Sequence, residues 1–485
     1  MTGSGTQIDP YIITSYADLL GIESDMTAWY ELGSNIDAVG QAFLPIGLIT
    51  GDPFVGHLDG KGYRISNLTI HHTCTSDYED FGLFLYVGSN PDKGYIKNLW
   101  LKDIDFEIDF DVYDAAEVGG LGGWISDGII DQVIVTGSIV IHGGDGVELG
   151  GIGGFIGWAS GGTVTSVLTR CWTNVNLSTD DDNAYVGGIA GYLNQSRMYD
   201  CFALGTIDAN DAVGSVCGGI AGIIACMLDS SVHTWISNCY AKVDIDNLDP
   251  LWSGATGGFV GLTVETSIYH CYATGDVSSD PNAGGFSGYS GDSGWYTTEC
   301  YWDTDTSGTF VDQGIGDQAA VGKTTAEMKT EATFVDWAFD TVWSLMSCND
   351  GYPCLLSTTP SCSGGAGPSS IEVYFEYGVA TGVYTFTTVH QTVLAIGVFL
   401  AVITHLQNNT IYYFRAVADN GTVIVYGVEL TFETITPTTP YPPIVAGTSK
   451  GGGSTRLEMK SSLPPIVVVL PLITEKMTLK ANTRT

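Results

Sequence analysis

A glycine-rich segment recurs six times between residues 119 and 290 and constrains the fold more than any other feature. Each copy reads Gly-Gly-apolar-x-Gly-apolar and is followed by a β-rich stretch. The copies begin at Gly119, Gly150, Gly187, Gly218, Gly257 and Gly284, after a weaker forerunner at residues 81–84. A unit of about 30 residues cannot bury its own apolar face and relies on stacked neighbours. The sequence therefore predicts an all-β solenoid.

One column of the aligned β-rich stretches is apolar throughout. Its members are Leu68, Leu99, Val133, Cys171, Cys201, Cys239, Cys271 and Cys300. A position that exchanges Cys with Leu and Val is a buried apolar position, because a thiol packs there as a small hydrophobe. We therefore expect these cysteines to be structural and to suit folding in a reducing compartment, where stacked thiols do not mispair.

The next residue in each stretch must face the opposite side of the strand. This aromatic row comprises Thr69, Trp100, Ile134, Trp172, Phe202, Tyr240, Tyr272 and Tyr301. Two interpretations remain open for it. Large rings that point outward form a binding or subunit surface, with Trp100, Trp172, Phe202, Tyr240, Tyr272 and Tyr301 as its residues. Alternatively, the rings are buried beneath the long loops between strands.

Both ends of a solenoid need caps, because open sheet edges aggregate. Ser15-x-x-Asp18 and Thr324-x-x-Glu327 each have the spacing of a capping box, in which a hydroxyl and a carboxylate satisfy the first backbone N–H groups of a helix. Apolar residues follow both motifs. The sequence therefore predicts short helical caps at the two ends.

The charge is strongly asymmetric. The whole chain has a formal net charge of −37. Residues 436–485 contain six Lys or Arg and two Glu residues, a net charge of +4, so the preceding 435 residues carry −41. Such an acidic body repels phosphate backbones and anionic lipid, so we expect no nucleic-acid partner.

The apolar stretches near 393–403 and 466–473 are too short to span a bilayer, so we expect no membrane insertion.

Residues 1–5 show no basic start and no apolar run, so no secretory signal is visible in this chain. Either the protein leaves the cytosol by another route or a leader precedes this sequence.

The repeats resemble the GLUG family. Tyr269–Val277 (YHCYATGDV) and Ser237–Ala241 are close matches, and Cys300–Gly308 followed by Lys323–Lys329 is similar to the family's exit. Residues 5–12 are similar to the start of many such proteins. The resemblance covers residues 1–356. It implies a right-handed parallel β-helix of the kind found on large surface or extracellular proteins, including adhesins and the non-catalytic part of some immunoglobulin-cleaving proteases. It implies no single activity.

A second resemblance covers residues 369–435. Leu406 and the segment Thr410–Val417 (TIYYFRAV) are similar to the strand-F region of a fibronectin type III domain, with Tyr412 as its corner tyrosine. Val373–Gly378 matches an earlier strand, although the segment is short and lacks an early tryptophan. The resemblance implies a small immunoglobulin- or fibronectin III-like β-sandwich that serves as a spacer or binding module.

The C-terminal tail begins with a Pro-rich stretch, residues 436–443, which predicts a stiff extended linker. Ile466–Leu470 has strand-like character and suits pairing with an exposed edge. We expect this basic tail, residues 436–485, to join the chain to homo-oligomer, filament or virion neighbours.

A calcium loop is one interpretation of the stretch after the last aromatic of the row. Asp303, Asp305 and Ser307 alternate before Gly308, and Asp312 is a further oxygen ligand. The bidentate Glu that closes such a loop is missing, so an ordinary exit turn is the other interpretation. Calcium is thus the one cofactor that the sequence suggests.

Two of Cys348, Cys354 and Cys362 would form a disulfide in oxidising surroundings.

An enzyme of the β-helix polysaccharide lyase or hydrolase type is the alternative function. A lyase needs a cation beside the developing enolate, yet the cations between residues 103 and 322 are Arg170, Arg197 and Lys242, in separate repeats. A hydrolase with two carboxylates stays open, because the acids are numerous. Zinc and nucleophile-elbow motifs are absent.

The sequence therefore predicts five parts: an N-terminal cap region (1–53), the solenoid (54–310), a C-terminal cap and junction (311–362), the fibronectin III-like sandwich (363–435) and the linker with the basic tail (436–485). Its predicted role is that of a non-enzymatic attachment protein of a virion or cell surface, such as a fibre, spike, decoration or filament subunit, with glycan contact along the aromatic row. A secreted bacterial adhesin is a further alternative.

Overall fold

The computed structural model divides the chain into two compact units, Met1–Gly367 and Pro368–Thr485. It describes the 485 residues apart from the following: 75–79, 90–91, 111–115, 144–149, 162–164, 181, 210–211, 213, 227–232, 248–253, 281, 292–296, 310–312, 316–319, 340, 346–348, 359–370, 389–390, 394–398, 404–408, 420–423, 427–428, 434–465 and 471–485.

The first unit is a β-solenoid, as the repeats predict. Its strands pair in parallel with the equivalent strands of the next rung and form three sheets. The first sheet contains Tyr11–Ile13, Trp29–Leu32, Ile36–Asp37, His57–Asp59, Arg64–Ser66, Thr69–Cys74, Tyr95–Phe110, Ile129–His142, Ser166–Thr169, Trp172–Thr179, Ser196–Tyr199, Phe202–Asp208, Trp235–Ser237, Tyr240–Asp246, Ser267–Tyr269, Tyr272–Ala273, Thr297–Thr298, Tyr301–Asp303 and Val321–Lys323.

The glycine segments supply the other two sheets. The second sheet contains Phe84–Val87, Gly122–Ser126, Ile156–Ser160, Ala190–Asn194, Ala221–Ala225, Val260–Val264, Ser287–Gly291 and Gln313–Ile315. The third sheet contains Val118–Gly119, Gly151–Gly153, Tyr185–Gly187, Val216–Gly218 and Ala255–Gly257. The weak forerunner at residues 81–84 is a true rung, because Phe81 pairs with Val118.

The register corrects one repeat boundary. Gly153, and not Gly150, lies between Gly119 and Gly187 in the stack. The sequence of this copy contains two Gly-Gly pairs three residues apart, and the first of them is not the structural equivalent. Parallel pairing also begins early, since Tyr11–Ile13 already pairs with residues 30–32.

Glycine is required where the second sheet of one rung meets the third sheet of the rung before it. A Cβ added to Gly191, the third glycine of its segment, would lie 2.3 Å from Cα of Gly151. Real Cβ atoms do not approach backbone so closely, and only glycine lets the chain segments pack at this distance. The motif therefore encodes close backbone packing.

The chain turns a corner between strands at a residue whose backbone φ is positive, in the left-handed region of conformational space. In seven consecutive rungs the residue just before the predicted apolar column has a φ between 52° and 55°. These corner residues are Asn98, Gln132, Arg170, Asp200, Asn238, His270 and Glu299. Several bond to one another between rungs, as when Nδ2 of Asn238 donates to Asp200 at 3.1 Å.

Two short helices cap the first unit where the sequence predicts them. The helix Tyr16–Leu20 begins after Ser15, whose side chain accepts from the backbone N–H of Asp18, and a 3₁₀ turn, Gly21–Ser24, follows it. The helix Thr325–Met328 begins with a complete capping box between Thr324 and Glu327. A 3₁₀ turn, Glu331–Thr333, and an antiparallel pair, Trp343–Ser344 with Cys354–Leu355, complete the C-terminal cap, residues 325–355.

The second unit contains antiparallel sheets. One sheet contains Ile371–Gly378, Phe386–Thr387, Gln391–Val393, Ile411–Asp419, Ile424–Tyr426 and Leu430–Glu433. Ile371–Gly378 agrees with the predicted early strand, and Tyr412 is buried in the strand that pairs with it. The fibronectin III-like assignment itself stays a prediction. In the tail, Ile466–Leu470 pairs antiparallel with Phe399–Ile403 of the same chain.

Candidate functional site

The apolar column is buried as predicted. Its cysteines are 0% exposed and stack rung upon rung, so that the backbone N–H of Cys171 lies 3.4 Å from Sγ of Cys201. The thiols of Cys201, Cys239 and Cys271 each donate to the backbone carbonyl two residues earlier, at 3.1–3.3 Å. Burial raises the pKa of these thiols well above the ordinary value. They are therefore protonated core residues that are unsuited to nucleophilic chemistry.

The aromatic row forms one stacked column in the predicted register. The rings of Trp172, Phe202, Tyr240 and Tyr272 follow one another at centroid distances of 5.3, 4.6 and 5.0 Å, with planes within 6° of parallel. Tyr301 pairs with Tyr272 on the next rung. Strand alternation thus predicted both columns of this sheet.

The row is not a solvent-exposed surface, so that interpretation of it is wrong. Trp100, Trp172, Phe202, Tyr240, Tyr272 and Tyr301 are each between 0% and 9% exposed. The C-terminal cap covers the later rungs of the row, because its rings contact Tyr240, Tyr272 and Tyr301. The cap residues in this apolar cluster are Met328, Phe334, Trp337, Trp343, Tyr352 and Leu355. Of the two interpretations drawn from the sequence, burial is the correct one, but a downstream segment of the chain covers Tyr240, Tyr272 and Tyr301 instead of the inter-strand loops.

Polar bonds fix the cap on the row. The hydroxyl of Tyr272 donates to the carbonyl of Pro353 at 2.5 Å and accepts from Nδ2 of Asn349 at 2.7 Å. Nε1 of Trp337 donates to the carbonyl of Glu299 at 3.0 Å. These buried bonds give the cap one defined position.

The predicted calcium residues form a hydrogen-bonded turn. Oδ1 of Asp303 accepts from the backbone N–H groups of Asp305 and Thr306, at 2.9 and 3.3 Å. Oδ2 accepts from the hydroxyls of Thr325 and Tyr352, at 2.7 and 2.6 Å. Four hydrogen-bond donors thus occupy the lone pairs that a calcium ion would need.

The other members of the predicted calcium loop have similar roles. Oδ2 of Asp305 accepts from the backbone N–H of Thr325 at 2.9 Å, and the hydroxyl of Ser307 donates to the carbonyl of Thr309 at 3.2 Å. Asp312 lies outside the described residues. Among the side chains that the structure describes, no group of three or more His, Cys, Asp or Glu residues is arranged to hold a metal ion. Asp303, Asp305 and Ser307 therefore fit the exit-turn interpretation and do not fit a calcium site.

The junction cysteines are only partly described. Cys354 is buried, and its thiol donates to the carbonyl of Ser344 at 3.2 Å. Cys348 and Cys362 lie outside the described residues, so the predicted disulfide between two of the three stays a prediction.

A different column of aromatic residues lies on the outer face of the second sheet. We call it the outer strip; its members are Tyr86, Trp124, Trp158, Tyr192, Ile223, Leu262 and Tyr289, which pair in register on seven successive rungs. Trp124, Trp158 and Tyr192 are half-buried, and Tyr289 is 38% exposed. From Trp124 to Tyr289, each member directly follows the third glycine of its segment, so the sequence contains a signal for this column.

The rings of the outer strip stack along the solenoid axis. The centroids of Trp158 and Tyr192 are 4.0 Å apart, and those of Trp124 and Trp158 are 5.7 Å apart. Because the faces of stacked rings cover one another, the ring edges point to solvent. Nε1 of Trp124 donates to Oγ of Ser160 at 3.1 Å, which fixes the indole on the next rung.

Two buried carboxyl groups lie one rung apart at the N-terminal end of this face. Oδ1 of Asp80 accepts from the backbone N–H of Glu117 at 2.8 Å, and Oε2 of Glu117 accepts from that of Gly151 at 2.5 Å. Burial, followed by the charge of Asp80, raises the pKa of Glu117 to about 8. Burial also raises the pKa of Asp80 to about 6, and Tyr86 of the outer strip is hydrogen-bonded to it.

Comparisons with known proteins agree with the repeat. The model of the GLUG motif matches residues 253–278. Halomucin of Haloquadratum walsbyi is 36% identical over 179 residues, which cover 34% of this chain and 2% of halomucin. A Gly-rich membrane protein of Evansella cellulosilytica is 28% identical over 420 residues, which cover 72% of this chain and 45% of that protein. The chain thus spans less than half the length of these relatives.

Solved structures with a similar chain trace include a candidate immunoglobulin A1 protease from Bacteroides ovatus. It has a TM-score of 0.46 at 19% identity and covers 73% of this chain and 94% of that one. An IgA1 protease, again 19% identical, has a TM-score of 0.42, and the match covers 60% of this chain and 21% of the protease chain.

None of the helices in the described residues has the length and apolar character of a membrane span. The chain is a β-solenoid of stacked parallel rungs, and one stretch of it, residues 253–278, matches the GLUG motif.

Proposed function

We propose that this chain is a non-enzymatic attachment module of a cell-surface protein and that it contacts glycans through the outer strip. The proposed cell-surface location is supported by two relatives that are longer than this chain, one of which is a Gly-rich membrane protein. The GLUG motif supports the same class of protein. Virion origin, filament formation and assembly through residues 436–485 remain predictions from the sequence.

The observation that carries this proposal is the half-buried state of Trp124, Trp158 and Tyr192 on an outer face. The edges of aromatic rings carry partial positive charge. A row of such edges suits the hydroxyl oxygens of a sugar chain that lies along the solenoid axis, while the apolar ring bodies exclude water. The repeat of roughly 4.8 Å between rungs gives an extended ligand a series of similar contacts.

Charge narrows the glycan class for this surface. The −41 carried by residues 1–435 repels polyanions at long range. We therefore expect the outer strip to prefer neutral polysaccharides over sulfated or uronate-rich ones.

A glycan array probed with the full chain and with Trp158→Ala tests the proposal. Trp158 contacts both neighbouring rings of the strip, so its loss should weaken binding to neutral glycans at least tenfold. Trp235→Ala is the matched control, because Trp235 is 39% exposed on the first sheet, away from the strip. Equal binding by the wild-type chain and the Trp158 variant, or no glycan binding by either, would contradict the proposed role.

The Asp80–Glu117 pair supports a second candidate, hydrolysis of glycosidic bonds. Two carboxyl groups with separated, raised pKa values are the pattern of an acid and a base that share one site. Polysaccharides incubated with the chain should then gain new reducing ends, and Glu117→Gln should abolish the gain. If no polysaccharide gains reducing ends, the pair has a structural role and the binding proposal stands.

A further inference from the structure

A shallow pocket of roughly 200 Å³ lies on the first sheet near its N-terminal end. Three consecutive rungs build it, because Asp37 pairs with Ser66 and Ser66 pairs with Lys102. Polar residues predominate in its lining, which comprises Asn35, Ile36, Asp37, Arg64, Ser66, Asn67, Lys102 and Asp103. It lies on a different sheet from the outer strip and is independent of it.

Most polar groups of this pocket already have partners. Nδ2 of Asn67 donates to Oδ1 of Asp37 at 2.7 Å, and Nζ of Lys102 donates to Oδ2 of Asp103 at 2.5 Å. The hydrogen bond from Asn67 and one from the backbone of Val39 lower the pKa of Asp37, so that it is charged at neutral pH. The internal bonds hold the pocket walls in place.

In the part of the chain that the structure describes, the side chain of Arg64 is held by no such bond, although its charge helps to lower the pKa of Asp37. Its backbone N–H donates to Oδ1 of Asn35 at 3.1 Å, but among the described residues its guanidinium forms no hydrogen bond and no ion pair within 4 Å. The guanidinium lies 5.9 Å from the ring centroid of Trp100, and Nζ of Lys102 lies at the same distance. A planar fork of five N–H donors is therefore available to a ligand at the pocket.

The distribution of cations points to the same place. Five of the 17 Lys and Arg residues lie between residues 61 and 102, whereas the next 220 residues contain three. Arg64 and Lys102 therefore form the cationic edge of a pocket in an otherwise acidic body. A guanidinium pairs best with a carboxylate or another planar oxyanion, through two parallel hydrogen bonds.

The remaining groups define the rest of the ligand. The carboxylates of Asp37 and Asp103 can accept hydrogen bonds from hydroxyl groups but repel a small dianion such as phosphate. The pocket is smaller than the roughly 300–1,000 Å³ of drug-sized sites, which suits one sugar ring. We propose that this pocket binds a single carboxylated sugar unit, with its carboxylate on Arg64 and its hydroxyls on the aspartates.

Isothermal titration calorimetry of the full chain with D-glucuronate tests this proposal, with glucose, acetate and inorganic phosphate as separate probes. We expect glucuronate to bind at least tenfold more tightly than each of the other three, because it alone offers both the carboxylate and the hydroxyls. Arg64→Gln should weaken glucuronate binding at least tenfold. Arg197→Gln is the matched control, since Arg197 is an exposed arginine on a distant rung and should leave affinity unchanged.

The outcomes separate this pocket from the outer strip. Trp158→Ala should leave glucuronate binding unchanged even if it abolishes binding on the glycan array. Absence of glucuronate binding at tens of millimolar, equal affinity for glucose, or unchanged affinity in Arg64→Gln would overturn the proposal. Tighter binding of phosphate than of glucuronate would overturn it as well, in favour of a plain anion site. Circular dichroism of Arg64→Gln confirms that the variant is folded.

Discussion

The hydroxyl of Tyr352 donates a hydrogen bond to Oδ2 of Asp303 at 2.6 Å, and Asp303 is 0% exposed. This contact joins a rung near the C-terminal end of the solenoid to the C-terminal cap, across 49 residues of sequence. Burial and the bond to Asp303 raise the pKa of Tyr352, so its hydroxyl stays protonated and keeps donating. The residue that the sequence suggested as a calcium ligand is the anchor of the cap.

Removing that hydroxyl should destabilise the first unit. Tyr352→Phe leaves one oxygen of buried Asp303 with a missing donor, a loss of about 1–3 kcal/mol in the free energy of unfolding. Urea unfolding followed by tryptophan fluorescence measures it. Tyr289→Phe, a change at a 38% exposed tyrosine, is the control. Equal stability of the two variants would contradict the anchoring role.

The aromatic row should become accessible when the cap loses its central ring. Trp343 is 0% exposed and packs against Tyr240, Tyr272 and Trp337 at centroid distances of 6.3, 6.0 and 4.6 Å. Trp343→Ala should lower the free energy of unfolding by about 3–5 kcal/mol and increase the fluorescence of the dye ANS. Trp235→Ala should change neither property much. Unchanged dye binding in Trp343→Ala would mean that the cap does not cover the row.

The thiol of Cys239 should be inert in the folded protein. It is 0% exposed, and burial holds its pKa well above the ordinary value, so that neither reagent nor hydroxide reaches it. Peptide mass spectrometry after iodoacetamide treatment should find Cys239 unmodified at neutral pH and modified in guanidinium chloride. Rapid labelling without denaturant would place this column outside the core.

Glu117 should make the first unit less stable as the pH rises. Its pKa is about 8 in the folded chain and about 4.5 in the unfolded one, so the folded state binds the extra proton. The stabilisation is complete below pH 4.5 and is lost as the pH rises to 8. At about 1.4 kcal/mol per pKa unit, a few kcal/mol at most are at stake.

Thermal unfolding of the wild-type chain and Glu117→Gln at pH 5 and pH 8 isolates this effect. Wild type should lose more stability between the two pH values than the variant, which cannot ionise at this position. Repulsion among surface acids affects the stability of both chains equally. It therefore cancels when the pH-dependent loss of stability of one chain is subtracted from that of the other. An identical pH dependence in the two chains would show that Glu117 does not titrate in this range.

Strand alternation explains why both columns of the first sheet could be predicted. The side chains of Cys239 and Tyr240 must lie on opposite faces, and the repeat then places Cys271 and Tyr272 beside them on the next rung. The caps were also predictable, because Ser15 and Thr324 form their bonds within three residues of sequence.

Contacts between residues far apart in the sequence explain why the burial of the aromatic row by the C-terminal cap could not be predicted. No local pattern indicates that Trp337 and Trp343 fold back onto Tyr240 and Tyr272, so the exposure of the aromatic row could not be deduced. The outer strip was missed for another reason. The residue after the third glycine varies from Trp158 to Ile223, and its half-buried position is evident only when the second sheet is seen.

Disulfide trapping across neighbouring rungs tests the stacked register most directly. Thr206 and Asp244 are exposed partners on adjacent strands, and parallel partners lie within the 4.4–6.8 Å Cα range of a disulfide. After mild oxidation, mass spectrometry should find the crosslink in Thr206→Cys/Asp244→Cys and find none in Thr206→Cys/Asp246→Cys, whose positions are two residues out of register. Crosslinking of the second pair in preference to the first would contradict the register on which the account depends.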